Sequence, residues 1–218
     1  MGYLAQNRPA AGGSEVSAGQ LASHGQAIPI YLAVIGMDWA LLYYCWAGVH
    51  RFGGDLATLS WGRWNSWKSV AADLAIALPF WALWEGTAYG VHWLLEWAPA
   101  GSGPVRTVES LLPKSQIEIV VWIGASVTAG ICEEMAFRGF LQKQLHALTG
   151  NIAAAVVLQG AVFGLFHAYQ GWRKVVVIAV LGALYGVLAA WRGNLRVNIA
   201  SHIWTDTWEG WLKFAFVR

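Results

Sequence analysis

Three short stretches place ionisable side chains inside apolar sequence. GICEEMAFRGF carries Glu133, Glu134 and Arg138, FGLFHAY carries Phe163 and His167, and SHIWTDTWEGW carries His202, Asp206 and Glu209. A charged group in a bilayer is costly, so such residues are functional candidates by default. A helix turns about 100° per residue, which puts Glu134 and Arg138 about 40° apart on one face, able to pair. Glu133 then points elsewhere, with Phe137 on its face. Two carboxylates beside one cation leave one carboxylate unpaired, and a general base needs that. Phe163 lies one helical turn before His167 and can pack against its ring. Beside a glutamate, His167 can help hold and deprotonate a water. His202 and Asp206, four residues apart, share a face, and Glu209 extends that face towards the helix end. The plainer alternatives are a structural ion cluster at 133–138, an ordinary satisfied histidine at 167 and a helix-stabilising His202–Asp206 hydrogen bond.

The chemistry these groups suit is hydrolysis. Amide cleavage needs a nucleophile and stabilisation of a developing oxyanion. Ser126 and Ser201 are the best serine candidates, but neither has an obvious base beside it; Ser201 and His202 diverge by about 100°. Water attacking directly, activated by glutamate and histidine, meets the demand. A zinc ion held by Glu133, His167 and His202 with an open water position would meet it too, although His-Glu-x-x-His is absent. Asp38 and Asp73 invite an aspartyl-protease reading, but GMDWA and AADLA lack the Gly-x-Gly-Asp setting of intramembrane aspartyl enzymes. Asp38, Asp73 and Glu85 are expected to make hydrogen bonds between helices or near an interface.

The elements that must position these residues follow from composition. Of 218 residues 57% are hydrophobic and 12% charged, about half the charged share of a soluble domain. Mean hydropathy is +0.45, and 15 tryptophans suit a membrane–water interface. Disorder and a disulfide-dense scaffold are excluded, since the only cysteines are Cys45 and Cys132. A net charge of +2 offers nothing to nucleic acid.

Residues 1–26 read as a small, polar, flexible tail and 27–218 as one helical domain. Apolar runs over 27–49, 70–97, 117–141, 152–167, 175–191 and 195–217 predict about six transmembrane helices. The fold class is therefore all-α, a polytopic membrane helical bundle, with the motifs within 117–210. Pro79 is expected to kink the second span. Trp61, Trp64 and Trp67 suggest an interfacial amphipathic segment in 50–69, and the Pro- and Gly-rich 98–116 reads as a loop. Loop lysines and arginines are balanced between the two sides, so the positive-inside rule assigns no orientation.

The three motifs, in this order and each on a predicted span, resemble those of the CPBP family, the CaaX-protease and bacteriocin-processing (Abi) intramembrane glutamic endopeptidases related to the Ras-converting CaaX endopeptidase. The resemblance covers 117 to the C-terminus. It implies a helical membrane core with a cavity in which Glu133 and His167 activate a water. It gives His202 and Asp206 the oxyanion, and Glu134, Arg138 and Phe163 supporting roles. Gly139 also suits the pattern. The Ras-converting branch has asparagine where this chain has Asp206. An ionised aspartate cannot donate to an oxyanion, so Asp206 either holds a proton or orients His202, which then donates alone.

The reading is a metal-free intramembrane endopeptidase without cofactor, with zinc as its rival. The expected partners are the lipid bilayer and a membrane-associated or lipidated peptide or protein, in a prokaryotic cytoplasmic membrane. The competing class is a non-enzymatic membrane carrier or partner-binding subunit, which would bury polar groups equally well.

Overall fold

The computed structural model describes residues 27–54, 65–97 and 111–216. The polar tail, Trp61, Trp64 and most of the 98–116 loop lie outside these residues. The described chain is all-helical: α1 (Ile28–Arg51), α2 (Trp67–Glu96), α3 (Gln116–Glu133), a π-helical segment (Glu134–Leu141), α4 (Gln142–Thr149), α5 (Ile152–Phe166), a 3-10 turn (Ala168–Gln170), α6 (Trp172–Arg192) and α7 (Arg196–Phe216).

Local chemistry sets the boundaries. Ser66 and Ser115 accept hydrogen bonds from the backbone N–H groups of Ser69 and Glu118, and Asn151 accepts from those of Ala153 and Ala154. These side chains satisfy first-turn donors that a helix leaves open. Gly150 and Gly193 end α4 and α6 in the left-handed region, where a side chain would be strained. Pro79 lies inside α2, which continues through it as one helix.

The six predicted spans thus correspond to α1, α2, the α3–α4 rod, α5, α6 and α7. Three of them, Ile28–Arg51, Gln116–Thr149 and Trp172–Arg192, are long and apolar enough to cross a membrane, and α5 is a shorter apolar helix. The polar content of α7 is turned inward: Asn198, Ser201, His202 and Thr205 are all buried. The sequence reading ran the third span on as one regular helix to 141; instead the chain widens into a π segment directly after Glu133. Such segments mark functional sites more often than chance.

Packing places α3 between α1 and α7, with α2 against α6 and α7, and α5 against α6. The α5–α6 contact is backbone-close. A Cβ on Gly160 would stand 2.7 Å from the Ala179 carbonyl oxygen, and one on Gly164 2.5 Å from that of Val175. Small residues allow such approach in apolar surroundings, where dispersion replaces the hydrophobic drive. At the far end Asp73 of α2 pairs with Arg192 and Arg196, each at 2.7 Å. The expected inter-helix contact of Asp73 is therefore an ion-pair cluster tying α2 to the α6–α7 corner. Glu85 accepts from the indole of Trp81 in its own helix, at 3.1 Å.

Candidate active site

The α3–π junction sets Glu133 and Glu134 into different surroundings. Glu134 is fully buried and saturated with donors. Its Oε1 accepts from Arg138 Nη1 at 2.9 Å and from His202 Nδ1 at 2.9 Å, and its Oε2 accepts from Asn198 Nδ2 at 3.1 Å. Arg138 also donates to the Gly182 carbonyl at 3.1 Å and lies over the Phe163 ring at 4.4 Å. A buried charge is tolerable only when paired and hydrogen-bonded, and Glu134 meets that condition three times over.

Glu133 is set differently. Its Oε2 stands 3.7 Å from His202 Nε2, beyond hydrogen-bond length, and its side chain lines a cavity of about 750 Å³. His167, just past the end of α5, shares that cavity wall. Its Nδ1 is 2.9 Å from the Phe163 carbonyl oxygen. A carbonyl only accepts, so Nδ1 carries a proton, and in the neutral ring Nε2 holds a lone pair. Phe163 packs edge-on against the His167 ring at 5.0 Å, as the spacing predicted, and against Phe137 at 4.9 Å.

His202 occupies the centre. With Nδ1 bound to Glu134, its Nε2 faces Glu133 at 3.7 Å and Asp206 Oδ2 at 3.6 Å. A close His202–Asp206 hydrogen bond, one of the readings of the four-residue spacing, is not formed; the close bond goes to Glu134 instead. Tyr185 of α6 stacks on the His202 ring at 5.4 Å and 25° between planes, and its hydroxyl is 3.5 Å from Ser201 Oγ. Ser126 donates to the Trp122 carbonyl at 2.9 Å. Both serines thus lie against groups other than a general base.

Glu133, Phe163, His167, His202 and Asp206 therefore meet on one cavity, brought there by three separate parts of the chain. Glu134, itself paired with Arg138, stands behind it and holds His202. Glu209, which extends the His202–Asp206 face towards the helix end, is on the cavity wall as well. Two residues were missed. Asn198 is one turn before His202 on the same face of α7, a spacing that could have flagged it. Tyr185 has no local sequence signal. As for the zinc alternative, no three His, Cys, Asp or Glu side chains among the described residues are grouped to hold a metal ion. Both His202 nitrogens are already directed at carboxylates.

A helical bundle with membrane-length apolar helices and an interior cavity lined by glutamate, histidine and aspartate defines an integral membrane protein with a buried polar site. Residues 115–208, which hold all three motifs, match the family described as type II CAAX prenyl endopeptidase Rce1-like. The resemblance carried by the motifs is thereby shown. No curated protein and no solved structure matches the chain.

Proposed function

We propose that this protein is an intramembrane endopeptidase that hydrolyses a membrane-associated peptide with water activated by Glu133 and His167. The observation that carries the proposal is the contrast between two adjacent carboxylates: Glu134 is saturated by Arg138, His202 and Asn198, while Glu133 faces the cavity beside His167. Glu133 takes a proton from water as the oxygen attacks the carbonyl carbon. His167, with its Nε2 lone pair, orients that water. The C–N bond then breaks and the proton passes from Glu133 to the leaving amine. Protonated on both nitrogens between three carboxylates, His202 donates Nε2–H to the oxyanion, and Asp206 helps keep that proton on the ring. No metal enters the reaction. The substrate belongs to the cytoplasmic membrane of a prokaryote.

The test compares protein termini in membranes of cells expressing the wild-type chain or Glu133→Gln at equal levels. Gln keeps the shape and removes the base. New termini that appear only with wild type, and persist in purified membranes with a chelator, are the expected result. Equal termini from both chains would remove Glu133 from the chemistry, and loss with chelator would restore the zinc mechanism.

A further inference from the structure

Asp38 lies on α1, outside the family-matched segment, yet it lines the same cavity as Glu133, His202 and Asp206. It is 2% exposed, and its Oδ2 is a buried atom without a hydrogen-bond partner. A buried carboxyl oxygen without a donor is costly, and in a membrane interior such a group points to function. The cationic groups of the site have other partners. Arg138 is engaged by Glu134 and the Gly182 carbonyl, and His202 has Glu134 at Nδ1 and both Glu133 and Asp206 opposite Nε2.

The cavity as a whole leans the same way. Asp38, Glu85, Glu133, Asp206 and Glu209 line it, against Lys174 and the two histidines. Much of the remaining wall is apolar or aromatic, so these charges are poorly screened. A negative, low-dielectric cavity concentrates cations and disfavours anions.

We propose that Asp38 is a specificity-determining residue that receives a cationic group of the peptide, a lysine or arginine side chain, and so selects substrates with a basic residue close to the cleaved bond. Oδ2 supplies the acceptor, and a small side-chain rotation on binding brings it to the incoming N–H. Because Asp38 lines the same cavity as Glu133, His167 and Asp206, the basic residue falls within about three positions of the cut, at ~3.3–3.6 Å per extended residue. This inference rests on the endopeptidase reading and adds the substrate class.

The same comparison of termini tests it, with Asp38→Asn and Asp38→Glu as further chains. Wild-type-dependent cleavage sites should be enriched in Lys or Arg within three residues of the cut. Asp38→Asn, nearly the same shape, should lower the yield of basic-flanked termini about tenfold, the scale of one charge-assisted hydrogen bond, while neutral-flanked termini fall less. Asp38→Glu should recover part of the preference. No basic enrichment with wild type overturns the proposal, whatever the variants do. Enrichment that survives in Asp38→Asn overturns it too. If the wild-type chain gives no termini that are absent from cells without it, the endopeptidase reading itself fails, and the Asp38 proposal fails with it; cleavage without basic flanks defeats only the role of Asp38.

Discussion

Glu134 and Arg138 show what residue spacing can and cannot disclose. Their separation predicted the ion pair, found at 2.9 Å with both side chains fully buried. The spacing could not disclose that the same carboxylate also holds His202 and Asn198, because those contacts cross between helices far apart in sequence. Arg138→Ala or Glu134→Ala strips a buried charge of its partner, a change that costs about 3–5 kcal/mol. Either variant should therefore unfold at a clearly lower temperature in detergent and lose cleavage together, whereas Glu133→Gln should keep the wild-type midpoint. Equal thermal midpoints for wild type and both alanine variants would show that the pair does not support the bundle. Asp38 marks the opposite case: in sequence it was one of several acids expected to hydrogen-bond between helices, and only the fold reveals its unpartnered oxygen on the cavity wall.

Among the elements, the helices were legible because long apolar runs are a local signal. The π segment was not, since its residues are apolar or paired and suit an α-helix equally well. Nor was the closeness of α5 to α6, although Gly160 and Gly164 stand four apart as small residues do at close helix crossings. That closeness matters to the site because α5 carries Phe163 and ends at His167, while α6 carries Tyr185 and the Gly182 carbonyl that Arg138 uses. Gly164→Ala would set a Cβ 2.5 Å from the Val175 carbonyl oxygen and 2.7 Å from the Ala179 Cβ. Much of what it meets is backbone, so the helices must part. Overpacking of this kind costs about 1–3 kcal/mol. The expected outcome is a lower thermal midpoint with reduced cleavage, while the same change at Gly36 of α1, which has open space around it, should leave both unaltered. Matching behaviour at the two glycines would mean that the close α5–α6 approach is not needed.

For the whole molecule, the family pattern and the physical unit have different extents. The matched segment begins at 115 and includes every motif residue, yet its core is completed from α1. Leu42 packs with Cys132, Met135, Ala189 and Leu195. Cys45 packs with Ala136, Phe137 and Phe163, and Tyr31 packs against Ala125. Removing α1 would expose the α3 face that carries Glu133 and open the cavity along the side lined by Met37, Asp38 and Leu41. From α2, Asp73 adds the counter-charge for Arg192 and Arg196. A chain reduced to 111–218 therefore keeps all three motifs but loses one wall of the cavity and two of the helices that pack the core. Size-exclusion chromatography in detergent should show it aggregated or polydisperse, and it should cleave nothing that the full chain cleaves. Supplying 1–110 as a separate polypeptide in the same membrane should recover part of both properties, because packing of α1 and α2 needs contact with the rest of the bundle rather than covalent linkage to it. A monodisperse, active 111–218 would confine both folding and catalysis to the matched segment and would leave α1, Asp38 included, without a part in either.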